Sequence, residues 1–284
     1  MKKSILSLAW ALLSVGAAYA QNANECVVNA TLNGVPDGTE MEAILGATHR
    51  NEKPLAKGVV KGGKLSLTIP VTEVRYIGVG PKDCPFTFSF MTKGGENVQV
   101  SLDAKPFNDG TNGGFQSENV KITGSAMNEE CKAKVESVRA SLDKIYADYH
   151  KQYEAFTEKL NKAYAAKDTA LVKKLKQSED YEGFHQAEDQ FFKTVQSSYE
   201  KLYADNKDSW WGPFAMLYTM SYFTKENQKE WAMFSDAAKN SFYGKLLNEQ
   251  INPKGFTGEA LPQFDLQQAD GSKKSMASCV KGKK

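Results

Sequence analysis

The spacing of apolar residues switches period near Ser125, and this switch limits the possible folds more than any other feature of the chain. Ahead of it lie short alternating runs. In Lys64-Leu65-Ser66-Leu67-Thr68-Ile69 the apolar residues share one face and the polar residues the other. Cys26 to Leu32, Met41 to Leu45, Tyr76 to Val79, Phe86 to Met91, Val98 to Leu102 and Val120 to Thr123 continue the pattern. Turn-forming stretches such as Asn33-Gly34-Val35-Pro36-Asp37-Gly38 and the glycine- and asparagine-rich tract 108–114 separate them. Period two with one buried face predicts an antiparallel β-sandwich or barrel-like module over residues 21–124.

From Ser125 the period becomes helical. Val135, Val138, Leu142, Ile145, Tyr149, Tyr153, Phe156, Leu160 and Tyr164 step by three or four and form one stripe of a long helix. Ser125 or Asn128 can cap its start, with Glu129 and Glu130 in the first turn. Ala166-Lys167-Asp168 interrupts it, and a second stripe runs from Leu171 to Leu202. Two amphipathic helices joined by a short turn predict an antiparallel hairpin. Shorter helices are expected over 214–222, 225–234 and 239–251, which closes a helical spacer spanning 125–254. Residues 255–284 read as strand again, with a turn at Ala269-Asp270-Gly271-Ser272. The expected class is α+β.

The first twenty residues have the three parts of a secretory signal peptide. Lys2 and Lys3 precede an apolar run from Ile5 to Val15, and Ala18-Tyr19-Ala20 supplies the small-x-small cleavage pattern. Export to the periplasm or cell envelope is the expectation. Its removal takes two lysines from a full chain of 36 basic and 34 acidic residues, leaving the charges balanced. A balanced chain offers no strong field for nucleic acid or anionic lipid, and no nucleic-acid partner is expected. No later stretch approaches the roughly 20 apolar residues of a membrane helix.

The tail carries the most specific motif. Gly258-Glu259-Ala260-Leu261-Pro262-Gln263-Phe264-Asp265-Leu266, the turn at Asp270-Gly271, the run to Met276 and then Lys281-Gly282-Lys283 resemble the opening of thioredoxin-like redoxin domains. These belong to the peroxiredoxin-related, TlpA- and ResA-like thiol–disulfide oxidoreductases of the bacterial envelope. In that family a small-x-Pro-x-Phe-x-Leu strand, an Asp-Gly turn, a Leu-x-x-Leu segment and Lys-Gly-Lys precede a Trp-Cys-x-x-Cys active site. Here Met276 stands for the first leucine, Cys279 takes a usually apolar position, and no Trp-Cys-x-x-Cys occurs within the 284 residues. The segments before the tail are similar to the uncharacterised β-domain and helical spacer that precede many such redoxin domains. The resemblance implies that 255–284 is an incomplete start of a thioredoxin-like fold. It also implies that the chain is the non-catalytic recognition, spacing or dimerisation region of such an oxidoreductase. The alternative is a free-standing envelope binding protein whose β-module recognises a ligand or a protein partner.

No residue pattern indicates a catalytic centre, a cofactor or a metal site. Trp210-Trp211-Gly212-Pro213-Phe214 mimics a redox motif, but aromatic residues hold both thiol positions, so a packed helix-entry turn is the expectation. Glu182 and His185 have the i, i+3 spacing of bundle metal ligands. Neither His49 nor His150 belongs to a matching motif, so a locally hydrogen-bonded histidine is the better reading. Four widely spaced cysteines exclude a dense disulfide framework. An exported chain permits a structural bridge between Cys26 and Cys84, which share the β-module, whereas Cys131 and Cys279 read as small apolar residues. The helical region is rich in tyrosine. Tyr146, Tyr149, Tyr153, Tyr199 and Tyr203 can extend over a second surface, which is the basis for a homodimer or an envelope protein as partner.

Overall fold

The computed structural model describes residues 22–48, 53–107, 113–253 and 264–281. The expected signal peptide, His49 and the Gly258–Gln263 and Gly282–Lys283 parts of the tail motif lie outside them.

The seven alternating runs form strands, and an eighth, β3, lies between them: β1 (Glu25–Asn33), β2 (Glu40–Leu45), β3 (Ala56–Val59), β4 (Lys64–Pro70), β5 (Arg75–Gly80), β6 (Phe88–Thr92), β7 (Asn97–Pro106) and β8 (Phe115–Thr123). They make two four-stranded sheets, ordered β4-β1-β7-β8 and β3-β2-β5-β6. The module is therefore a sandwich. Period two fixes which residues share a face but not the direction of a neighbour, and one pairing departs from the antiparallel expectation: β1 and β7 run parallel. Val28, Leu32 and Ile69 of the first sheet meet Met41, Ile77 and Phe90 of the second, all with no exposed surface. Each such burial is worth about 1.5–3 kcal/mol. The turn after β1 requires a glycine: at Gly34, with φ +90°, a Cβ would stand 2.2 Å from the Ala104 carbonyl oxygen.

The second sheet is buried on both faces along β5 and β6. Ile77 and Phe90 enter the sandwich core, while Tyr76 and Met91 turn outward and pack under the helices. The sequence joint at Ser125 is where the layers are fastened. Ser125 Oγ donates to the Met91 carbonyl (2.8 Å) and accepts from the Asn128 N–H (3.1 Å). Asn128 Oδ1 accepts from the Met91 N–H at 3.0 Å. Met91 lies on the edge strand β6, so a helix cap satisfies backbone groups that no further strand covers.

The helices are α1 (Ala126–Cys131), α2 (Ser137–Gln152), α3 (Glu154–Ala165), α4 (Thr169–Leu175), α5 (Glu179–Asp205), α6 (Trp211–Thr219), α7 (Gln228–Met233), α8 (Asp236–Asn240) and α9 (Phe242–Ile251). A π-helical turn, Lys132–Glu136, joins α1 to α2. The expected hairpin is present, with α2 against α5 and α3 against α4. Each leg is broken once, however. Tyr153 (φ −104°, ψ 14°) offsets α2 from α3, and a turn ending in the Ser178 cap separates α4 from α5. The apolar stripe continues across both breaks, which is why spacing alone reads each leg as one helix.

Helices α6 and α9 sit against the sandwich and α8 packs on both, with Phe214, Met216 and Leu247 fully buried in a cluster with Tyr76 and Met91. The tail forms a hairpin, β9 (Asp265–Gln267) and β10 (Lys273–Ser275), followed by α10 (Met276–Val280). Its turn is the expected one: Gly271 has φ +80°, and Asp270 accepts from the Ser272 N–H at 2.9 Å. Phe264 and Leu266 are exposed on it.

Candidate functional site

The outer face of the first sheet carries a polar surface whose rows are set by strand pairing. Thr31 of β1 lies opposite Lys64 of β4 on one side and Ser101 of β7 on the other, and Ser101 lies opposite Lys121 of β8. The four strands thus carry one transverse row, Lys64–Thr31–Ser101–Lys121. Two residues along, the same pairings give Ser66–Asn29–Gln99–Thr123. These are the positions left over when Ala30, Leu65 and Val100 turn into the core. Together with Lys61 the rows line an open groove of about 1030 Å³.

A hydrogen-bond ladder holds the second row in place. Ser66 Oγ donates to Asn29 Oδ1 (3.0 Å), and Asn29 Nδ2 donates to Asn97 Oδ1 (3.3 Å). Gln99 Nε2 also donates to Asn97 Oδ1, at 2.6 Å. Two neighbouring carboxylates are occupied: Asp37 Oδ1 accepts from the Gly63 N–H (3.2 Å) in the turn between Lys61 and Lys64, and at Asp103 the Nδ2 groups of Asn119 (2.7 Å) and Asn33 (3.0 Å) donate to its two oxygens. The two amide bonds to Asp103, that of Asn119 first, lower its pKa. Among the described residues, the side chains of Lys61, Lys64 and Lys121 have no acidic partner. The groove therefore combines unpaired positive charge at both rims with a floor of hydroxyls and amides. It can bind but holds no nucleophile–base pair.

The residues singled out from the sequence are dispersed. The expected bridge between Cys26 and Cys84 is not formed. Cys26 is the second residue of β1, beside the Asn97 end of β7, its sulfur 3.1 Å from the Thr92 hydroxyl. Cys84 lies beside Gly114, at the Pro106–Phe115 end. Ten residues of β7 separate the two levels, a span of more than about 20 Å at 3.3 Å per residue, whereas a disulfide needs Cα atoms within about 7 Å. Sharing a module says nothing about which end of a strand each cysteine occupies. Burial raises the pKa of Cys26 and pushes the Cys131 thiol up to about 12. Cys131 is buried as expected, but Cys279, in α10, is only partly covered.

Trp210 and Trp211 stack at 4.1 Å and pack with Phe214 at the start of α6. His185 Nδ1 lies 3.2 Å from Glu188 Oε2, while Glu182 accepts from Gln186. Among the described residues, no group of three His, Cys, Asp or Glu is placed to hold a metal ion. Of the tyrosines read as a second surface, Tyr149 and Tyr203 are buried. Tyr149 packs on Phe184 and Phe191 of α5, and Tyr203 Oη is 2.6 Å from Thr219 Oγ1. Tyr146 is exposed. Sequence reasoning missed the groove because alternating polar residues on a strand read as ordinary solvated positions; register alone aligns them into rows.

No family model matches this chain, and no similar sequence is found among curated proteins. Among the described residues no helix is long and apolar enough to cross a membrane.

Proposed function

We propose that the chain is the non-catalytic recognition and spacing region of an exported thioredoxin-like thiol–disulfide oxidoreductase, with the outer face of the first sheet as its recognition surface. The tail carries this reading. Its hairpin with an Asp-Gly turn agrees with the stub that the resemblance implies, and β9 pairs with β10 while α10 packs on β10. The chemistry of the buried thiols is consistent. Thiol–disulfide exchange requires a thiolate, and burial holds Cys26 and Cys131 protonated at neutral pH. The groove also supports the alternative, a free-standing envelope binding protein, because binding there needs nothing from the tail.

Two measurements test the proposal. Insulin reduction by this chain with dithiothreitol stays at the level of dithiothreitol alone; clear turnover overturns the non-catalytic assignment. Sequencing the transcript past the Lys284 codon separates the two readings. An in-frame Trp-Cys-x-x-Cys segment supports the oxidoreductase reading, and a stop codon with no such segment leaves the binding protein.

A further inference from the structure

We infer that the groove on the first sheet takes an anionic polysaccharide, a linear sugar chain carrying carboxylate or sulfate groups. The inference rests on the reading of this face as a recognition surface. Three features set the ligand class. First, Lys64 and Lys121 stand at opposite ends of one row, three strand spacings or about 14 Å apart, and Lys61 pairs with Lys64 across the adjoining turn. Positive charge thus sits at both edges; Asp103 is held by two amides outside the lysine row, and Asp37 by the Gly63 N–H of the Lys61–Lys64 turn. Such a spacing suits a chain bearing repeated anionic groups better than a single small anion.

Second, the floor between the lysines consists of Thr31, Ser101, Asn29, Gln99, Ser66 and Thr123. Hydroxyls and carboxamides both donate and accept, as sugar hydroxyls do. Third, no aromatic side chain lines the groove; Ala30, Leu65 and Val100 have their side chains in the core, and Val59 adds one exposed apolar side chain. A peptide ligand is ordinarily specified by pockets for alternate side chains along a paired strand edge. This surface is a sheet face without such pockets, so it favours a polyhydroxylated chain over an acidic peptide.

Affinity electrophoresis of the full chain through gels containing polygalacturonate, dextran sulfate, neutral dextran or poly-glutamate tests the inference. Retardation by polygalacturonate identifies the anion as carboxylate and retardation by dextran sulfate identifies it as sulfate, with neutral dextran inert. The double variant Lys64→Gln/Lys121→Gln should weaken that binding about tenfold, the sum of two exposed charge contacts. Asn29→Ala/Gln99→Ala should weaken it several-fold without a change in net charge. Lys173→Gln/Lys174→Gln, an equal charge change on α4, should leave it within twofold. Circular dichroism checks that each variant is folded. Failure of both anionic polysaccharides to retard the chain overturns the inference. So does equal weakening by the α4 variant, or poly-glutamate binding as tightly as either polysaccharide. None of these results alters insulin reduction or the transcript sequence, so this inference can fail while the oxidoreductase reading stands.

Discussion

The sandwich and the helical hairpin are of comparable length but bury very different amounts of side chain. Along β1, β4 and β7 every second residue is buried, and the second sheet is covered on both faces where α6 and α9 lie on it. The hairpin is only two helices thick. Its middle is held by Tyr149 packed on Phe184 and Phe191, and its far end by Phe156, Ala163 and Leu175. Exposed ion pairs such as Lys162–Glu158 on α3 and Lys201–Asp205 at the end of α5 lie on its surface, where solvent screening leaves them little weight. The difference teaches that the molecule has one strong unit, the sandwich with the short helices on it, and one extended arm. A rigid face on the strong unit is a suitable place for recognition, and the arm is suited to spacing.

Core truncations should break this comparison most sharply. Phe90→Ala in the sandwich and Phe214→Ala beneath α9 should each lower global stability by about 3–5 kcal/mol in urea unfolding. Phe156→Ala should instead loosen α3 and α4 locally, reducing helical ellipticity while the main transition stays nearly in place. An equal shift from all three would mean that the arm and the body unfold as one. Asn128→Ala removes the acceptor for the Met91 N–H and should cost about 1–3 kcal/mol, seen as a lower thermal midpoint. Gly212→Ala tests the packing between body helices. A Cβ there would stand 2.6 Å from the Phe234 ring and 2.7 Å from the Asn206 carbonyl oxygen, so a loss of about 1–3 kcal/mol is expected.

The smallest expected effect concerns pH. Burial, more than any neighbouring charge, raises the pKa of Glu136. A carboxyl with a raised folded-state pKa favours folding when protonated, and that contribution is lost as pH rises through the folded value. Glu136→Gln should therefore be slightly more stable than the parent at pH 7, within about 0.5 kcal/mol. The difference should vanish as pH falls below the ordinary carboxylate range. A variant less stable than the parent at pH 7 would show that the carboxylate has a favourable role at the junction.

Much of this organisation is legible in the sequence because period is a geometric property of backbone and burial together. The strands at Lys64–Pro70 and Asn97–Pro106 alternate cleanly, and the joint at Ser125 falls where the period changes. β3 was not legible: Ala56-Lys57-Gly58-Val59 is short and contains a glycine, admitted because a Cβ at Gly58 would meet Leu65 and Leu67 within 3 Å. Strand direction, the breaks at Tyr153 and Ser178, and the separation of Cys26 from Cys84 depend on contacts between distant segments. The lysine and hydroxyl rows needed register, since Lys64, Thr31, Ser101 and Lys121 come from four strands spread over 91 positions of the chain, from 31 to 121.

Amide hydrogen exchange on the full chain, with and without polygalacturonate or dextran sulfate, tests most directly the claim that the sandwich recognises and the arm spaces. Adding the polysaccharide should slow exchange in peptides covering 25–33, 64–70, 97–106 and 115–123, with residues 137–205 unchanged. Slowing confined to the helical arm, or none in the first sheet, would contradict it.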